Sequence, residues 1–99
     1  MAVVGVKLPT RLAAAITQDF LIPAVRAIVE VKVTRPGRRN RHIHDEILVD
    51  TEAYQQHHGV DRMVFVIYDL AGTVDNPAGF GTDLSREVDG HPRDVLVVR

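Results

Sequence analysis

A glutamate and a lysine interrupt an apolar segment of the chain, and their types and spacing could do chemistry. Residues 28–33 read IVEVKV. Side chains of a β-strand alternate between its two faces, so Glu30 and Lys32 share one face. Burying a charge is costly unless the charge is paired, hydrated or bound to a ligand. Glu30 and Lys32 therefore mark either a functional site or only the solvent face of a half-buried antiparallel strand.

The residues just upstream predict a second carboxylate beside Glu30. The run DFLI begins with Asp19 and precedes PAVRA, which is typical of the first strand and turn of a hairpin. With Ala24 and Val25 at the centre of the turn, Asp19 lies directly opposite Glu30, and the two carboxylates could share a divalent cation. Ala-Val lacks the Asn-Gly or Asp-Gly chemistry of tight hairpins, and a shift of one residue would turn Asp19 to the other face.

Asp19, ten intervening residues and Glu30-Val31-Lys32 resemble the PD-(D/E)XK nuclease superfamily, and most of all its restriction-endonuclease-like domains. The resemblance covers residues 18–99. It continues through RPGR at 35–38, a helix with Asp50 and Tyr54, VIYD at 66–69, NP at 76–77 and DLS at 83–85. It implies a restriction-endonuclease-like α/β core and metal-dependent hydrolysis of nucleic-acid phosphodiesters, with DNA as the expected substrate.

The resemblance also suggests a role for each residue of the motif. Asp19 and Glu30 would bind Mg²⁺ or Mn²⁺, with the carbonyl of Val31 as a third oxygen ligand. Mg²⁺ keeps most of its waters and is suited to one or two carboxylates plus a substrate phosphate. Lys32 would hold the attacking water and stabilise charge on the phosphate. The predicted catalytic residues are thus Asp19, Glu30 and Lys32.

A basic segment follows the Glu30/Lys32 strand directly. Four of the seven positions 35–41 are arginine, and these are Arg35, Arg38, Arg39 and Arg41. Arginine binds phosphate oxygens through a planar fork of donors, and such contacts give affinity that does not depend on sequence. The cluster is either the nucleic-acid-binding surface of the site or a solvated Pro-Gly turn that happens to be basic.

Residues 43–57 have a helical period, and the residues on one sector of the wheel are Ile43, Ile47, Asp50, Tyr54 and His57. Asp50 or Glu46 could reach the site from this helix. We instead expect structural roles, with Asp50 bonded to Tyr54, His57 or a sheet-edge amide, because most buried polar groups are not catalytic. The remaining histidines lack the i,i+4 spacing of helical zinc ligands.

The other elements complete an α/β domain with a mixed sheet. Residues 2–6 predict a strand, and Thr10 could cap a helical turn over residues 13–15. Residues 63–68 are an unbroken apolar run, typical of a strand covered on both faces. Asn76 and Pro77 begin a short helix whose apolar face is Phe80 and Leu84. After a turn at 89–92, residues 95–98 predict a final strand. The order predicts one antiparallel hairpin and parallel strands joined by helical crossovers.

Composition predicts one domain over residues 1–99. A chain of 99 residues with 45% apolar content can form one core and hardly two. Residues 1–17 are atypical or truncated for the superfamily, since no Asp or Glu precedes Asp19. Without cysteine, a signal-like start or a membrane-length apolar run, we expect a cytoplasmic protein with no membrane partner.

The net charge of −1 neither favours nor excludes a nucleic-acid partner. The alternative to a nuclease is an inactive nuclease-fold module that acts in nucleic-acid binding or dimerisation. A single catalytic centre cuts one strand at a time, so cutting both strands in one encounter would require a homodimer.

Overall fold

A computed structural model of the chain describes residues 4–6 and 15–99, which form a mixed sheet and two α-helices. The sheet order is β1-β2-β3-β4-β6-β5. The strands are β1 Val4–Val6, β2 Ala15–Ile22, β3 Ala27–Thr34, β4 Arg62–Tyr68, β5 Arg86–Val88 and β6 His91–Val98. Helix α1, Asn40–Gln55, connects β3 to β4, and α2, Pro77–Leu84, follows β4. β3, β4 and β6 are parallel and the other neighbours antiparallel, so the predicted α/β class and mixed sheet are confirmed.

The predicted hairpin register is also confirmed. Ile22 is opposite Ala27 in the β2–β3 ladder, and Asp19 is opposite Glu30. The turn is a 3-10 turn over Pro23–Val25, closed by Arg26 in the left-handed region at φ 50°. The Arg26 side chain donates to Asp61 Oδ2 at 2.8 Å, and its carbonyl accepts from the Asp61 N–H at 2.7 Å. Contacts with a distant residue thus hold a turn that lacks Asn-Gly.

The core lies on one face of the sheet. Met63, Phe65 and Ile67 of β4 are buried in it, whereas Val64 and Val66 on the other face are only half-buried. The prediction that β4 is covered on both faces was therefore wrong for the described residues. An unbroken apolar run does not reveal which face the helices cover. The remaining core side chains are Ile28, Ile43, Ile47, Tyr54, Val60, Val74, Leu84 and Val95.

Some element boundaries differ from the predicted ones, because hydrogen bonds that an apolar pattern does not reveal set where these elements begin and end. Helix α1 begins three residues before Ile43 because the Arg39 N–H donates to His42 Nδ1 at 3.0 Å and closes its first turn. The predicted turn at 89–92 is shorter, since His91 and Pro92 belong to β6 and pair with β5, a strand missed in the sequence. Val4–Val6 form the predicted first strand. The predicted helical turn at 13–15 lies outside the described residues except for Ala15, which begins β2.

The predicted cap of α2 is confirmed, with Pro77 in the first turn and the Asn76 side chain accepting from the Gly79 N–H at 3.3 Å. No helix in the described ranges is long and apolar enough to cross a membrane.

Gly81→Ala should destabilise the protein, because α2 approaches β6 closely at this position. A Cβ on Gly81 would lie 2.8 Å from the carbonyl oxygen of Val95. The clash is with backbone, so we expect a loss of about 1–3 kcal/mol in the free energy of unfolding, measured with urea. Thr82→Ala, at an exposed position of the same helix, should change it by less than about 0.5 kcal/mol. An unchanged midpoint for Gly81→Ala would show that α2 can move away from β6.

Candidate active site

Strands β2 and β3 bring Asp19 and Glu30 together, and α1 lays Tyr54 across them. The Tyr54 hydroxyl lies 2.7 Å from Asp19 Oδ1 and 2.9 Å from Glu30 Oε1. Asp19 is 1% exposed and Glu30 is fully buried. The structure thus brings together the two carboxylates that strand alternation placed on one face, and it adds a tyrosine hydroxyl that bridges them.

Lys32 lies on the same face of β3 and is surrounded by carboxylates. Its ammonium nitrogen is 3.1 Å from Glu30 Oε2, 3.0 Å from Asp50 Oδ2 and 3.3 Å from Glu46 Oε1. The Lys32 side chain is 1% exposed. Buried charges normally require such partners, because desolvation is costly.

Two members of this cluster were not assigned to the site from the sequence. Asp50 was expected to bond to Tyr54, His57 or a sheet-edge amide, and the structure places its Oδ2 3.0 Å from Lys32 Nζ. Glu46 also binds Lys32. A signal was present, because Glu46, Asp50 and Tyr54 follow one another at intervals of four on one helical stripe. One face of α1 therefore supplies the partners of the whole Asp19, Glu30 and Lys32 group.

Burial and neighbouring charge shift the protonation of this cluster. Burial, together with the hydrogen bond to Asp19, raises the pKa of Glu30 to about 9, although Lys32 opposes the shift. Burial and the nearby carboxylates also raise the pKa of Tyr54. For Lys32 burial acts to lower the pKa, but Glu30 and Asp50 outweigh it, so the pKa lies above its ordinary value. Since the Tyr54 hydroxyl carries one hydrogen, it can donate to Asp19 or to Glu30 but not to both at once.

The donor set fits a hard divalent cation. Asp19 and Glu30 offer carboxylate oxygens, which Mg²⁺ prefers. Glu30 Oε2 is buried and accepts no hydrogen bond of good geometry within the described residues, although Lys32 Nζ lies 3.1 Å away. No group of three or more His, Cys, Asp or Glu side chains in residues 4–6 and 15–99 is arranged to hold a metal. The candidate side-chain ligands are therefore Asp19 and Glu30.

Val31, the third predicted ligand, could contribute only a backbone oxygen. It alternates with Glu30 and Lys32, so its side chain lies on the other face of β3. Only its backbone carbonyl could contribute to the site, and Val31 pairs with Gln18 and Val66 within the sheet.

The predicted arginines lie at the end of β3. Arg35 and Arg39 are exposed in the loop between β3 and α1, Arg38 is half-buried there, and Arg41 is exposed in the first turn of α1. The Glu46 side chain is 16% exposed, which makes it the most exposed of the three acids that contact Lys32. Glu46 lies in the N-terminal half of α1, as does Arg41. The cationic segment thus lies on the side of the cluster that is closest to solvent.

Asp69 anchors the neighbouring end of β4. It accepts from the Thr34 hydroxyl at 2.8 Å and from the N–H groups of Thr73 and Val74 at 2.9 and 3.1 Å. Burial opposes ionisation, but these bonds outweigh it and lower the pKa of Asp69. The network ties the end of β3 to the loop after β4 and so fixes where the arginine segment begins.

The mixed sheet, its hairpin and the helical crossovers are those of a restriction-endonuclease-like domain. The chain belongs to the DpnII-MboI restriction endonuclease family, whose model, REase_DpnII-MboI, matches residues 7–99. No curated protein and no solved structure shows a significant match to the chain. The predicted restriction-endonuclease-like domain is thereby confirmed, and the family is one of enzymes that cut DNA.

Proposed function

We propose that this chain is a metal-dependent DNA nuclease of the PD-(D/E)XK type. The observation that carries the proposal is the juxtaposition of Asp19 and Glu30 across the β2–β3 hairpin, with Lys32 Nζ 3.1 Å from Glu30 on the same face. Membership of a restriction endonuclease family supports DNA as the substrate.

Each residue of the group has a chemical role in this proposal. Asp19 and Glu30 would hold Mg²⁺ or Mn²⁺ with carboxylate oxygens, and the Val31 carbonyl would be a third ligand. The bound metal would lower the pKa of a water molecule and offset charge on the phosphate. Lys32 donates hydrogen bonds to the attacking water and to a phosphate oxygen. The water would lose a proton as it attacks phosphorus, the ester P–O bond would break, and the departing oxygen would take up a proton from solvent, so no protein nucleophile is required.

The test is nicking of supercoiled plasmid by the full chain with Mg²⁺, with Mn²⁺ and with EDTA. Metal-dependent nicking is the expected result, and equal nicking in EDTA would contradict it. One observation favours the alternative of an inactive DNA-binding module, because Asp19, Glu30 and Lys32 are each at most 1% exposed. Folded protein that binds DNA but does not cut it with either metal would support that alternative.

We further propose that Arg35, Arg38, Arg39 and Arg41 bind the DNA backbone. The double variant Arg38→Ala/Arg39→Ala should weaken DNA binding and make it less sensitive to salt. Each phosphate contact contributes about 0.9 to the slope of log affinity against log salt, so we expect the slope to fall by about 2. The measurement is fluorescence anisotropy with labelled duplex DNA over a range of salt concentrations.

Arg62→Ala provides the matched control for charge. Arg62 is exposed at the start of β4, beside Ala27 and so at the opposite end of β3 from the arginine segment. Its loss should leave the salt slope unchanged. An equal reduction in Arg62→Ala would show that binding follows total charge and not the arginine segment.

A further inference from the structure

The Tyr54 hydroxyl contacts both candidate metal-binding carboxylates. It lies 2.7 Å from Asp19 Oδ1 and 2.9 Å from Glu30 Oε1, and the tyrosine is buried at 4% exposure. A cation shared by Asp19 and Glu30 needs one oxygen from each. The hydroxyl already occupies the space next to one oxygen of each carboxylate.

Size makes the hydroxyl and a cation competitors for this space. Mg²⁺ binds carboxylate oxygens at about 2.0–2.1 Å, which is shorter than the hydrogen bonds that Tyr54 makes. A cation that bound these two oxygens on the side of the phenol would lie too close to the phenol oxygen for the present tyrosine position to persist. We propose that the Tyr54 hydroxyl occupies the cation position between Asp19 and Glu30 in the metal-free protein, and that binding of a divalent cation displaces this hydroxyl. This inference rests on the proposed metal site.

The surroundings of Tyr54 indicate what a displacement would disturb. Its ring packs against Phe65 with centroids 6.3 Å apart. On the same stripe of α1, Asp50 and Glu46 bind Lys32. One face of α1 thus makes polar contacts with both the carboxylate pair and the lysine. Binding of a metal at the carboxylates would therefore break the Tyr54 hydrogen bond to Glu30 and leave the Lys32 contacts to connect this face of α1 to β3.

Removing the hydroxyl should therefore tighten metal binding. Tyr54→Phe keeps the ring against Phe65 and deletes only the competing group. Hydrogen bonds to charged groups are among the stronger ones in proteins, so we expect Mn²⁺ to bind Tyr54→Phe about tenfold more tightly than the native chain. Isothermal titration calorimetry of the full chain measures this directly, without DNA and without activity.

Tyr68→Phe is the matched control. The chain has two tyrosines and no tryptophan, and Tyr68 is 44% exposed at the end of β4. Mn²⁺ affinity should be unchanged in Tyr68→Phe. This variant also isolates the absorbance of Tyr54, so addition of Mg²⁺ should change its near-ultraviolet spectrum as the carboxylate bonds break. The spectrum tests the inference even if Tyr54→Phe does not fold.

The outcomes separate this inference from the proposed function. If the native chain binds Mn²⁺ and Asp19→Ala does not, the metal site stands. Equal or weaker binding by Tyr54→Phe, or a tyrosine spectrum that does not respond to Mg²⁺, would then overturn the displacement alone. If neither the native chain nor Tyr54→Phe binds Mn²⁺, or if binding survives in Asp19→Ala, both the site and the displacement are overturned.

Discussion

Glu30→Gln is expected to reduce metal-dependent DNA cleavage by about a thousandfold or more. A bound metal supplies several kcal/mol of transition-state stabilisation, and about 4 kcal/mol corresponds to a factor of 10³ in rate. A neutral amide is a much weaker ligand for Mg²⁺ than a carboxylate, because it brings no negative charge to the cation. The measurement is the initial rate of plasmid nicking at saturating Mg²⁺. Glu52→Gln, at an exposed position of α1, should retain the native rate.

The same substitution should leave the metal-free protein folded. Burial raises the pKa of Glu30 and so favours its neutral form, and glutamine is neutral and has nearly the same shape. The ordinary pKa of a glutamate is about 4.5, so the unfolded chain releases this proton at a lower pH than the folded chain does. Glu30 therefore makes native stability fall as pH rises across this window, and Glu30→Gln lacks that contribution.

Urea unfolding at several pH values between 5 and 9, in EDTA, checks this expectation. A large loss of stability at pH 7 in Glu30→Gln would show that the charged carboxylate supports the fold. Lost cleavage could then not be attributed to the chemistry of Glu30 alone.

Lys32→Met should cause the largest loss of stability among these variants, about 3–5 kcal/mol in the free energy of unfolding. Methionine retains much of the side-chain volume but removes the ammonium nitrogen that lies 3.0 Å from Asp50 Oδ2 and 3.3 Å from Glu46 Oε1. Removing one partner of a buried ion pair costs more than the pair contributes, because the remaining charge loses a close opposite charge and stays desolvated. Denaturant unfolding of both proteins at pH 7 measures the difference.

Two further variants show whether charge is the cause. Asp50→Asn in the Lys32→Met background should recover part of the lost stability, because it removes the negative charge of a buried carboxylate that faces Lys32 in the native chain. Arg86→Met removes a cation at an exposed position of β5 and should have little effect. No recovery in the double variant would mean that Lys32 stabilises the fold through packing of its aliphatic chain.

Several parts of the fold could be predicted from sequence because they depend on neighbours along the chain. The Asp19–Glu30 register follows from strand alternation and a short turn, and the start of α2 follows from Asn76-Pro77. The turn itself did not have the usual residues, and Arg26 and Asp61 hold it instead. Local patterns therefore predicted where the elements pair, but not every contact that holds them.

By itself, the sequence determined that an acid, a second acid and a lysine share one face of a β-hairpin, because strand geometry has a period of two. Only the tertiary structure decided that Asp50 and Tyr54 of α1 cover this group. Tyr54 is 35 residues from Asp19, and Asp50 is 18 residues from Lys32. Helical periodicity places Asp50 and Tyr54 on the inner face of α1, but their polar partners depend on how α1 crosses the sheet. That crossing is set by the packing of the whole core.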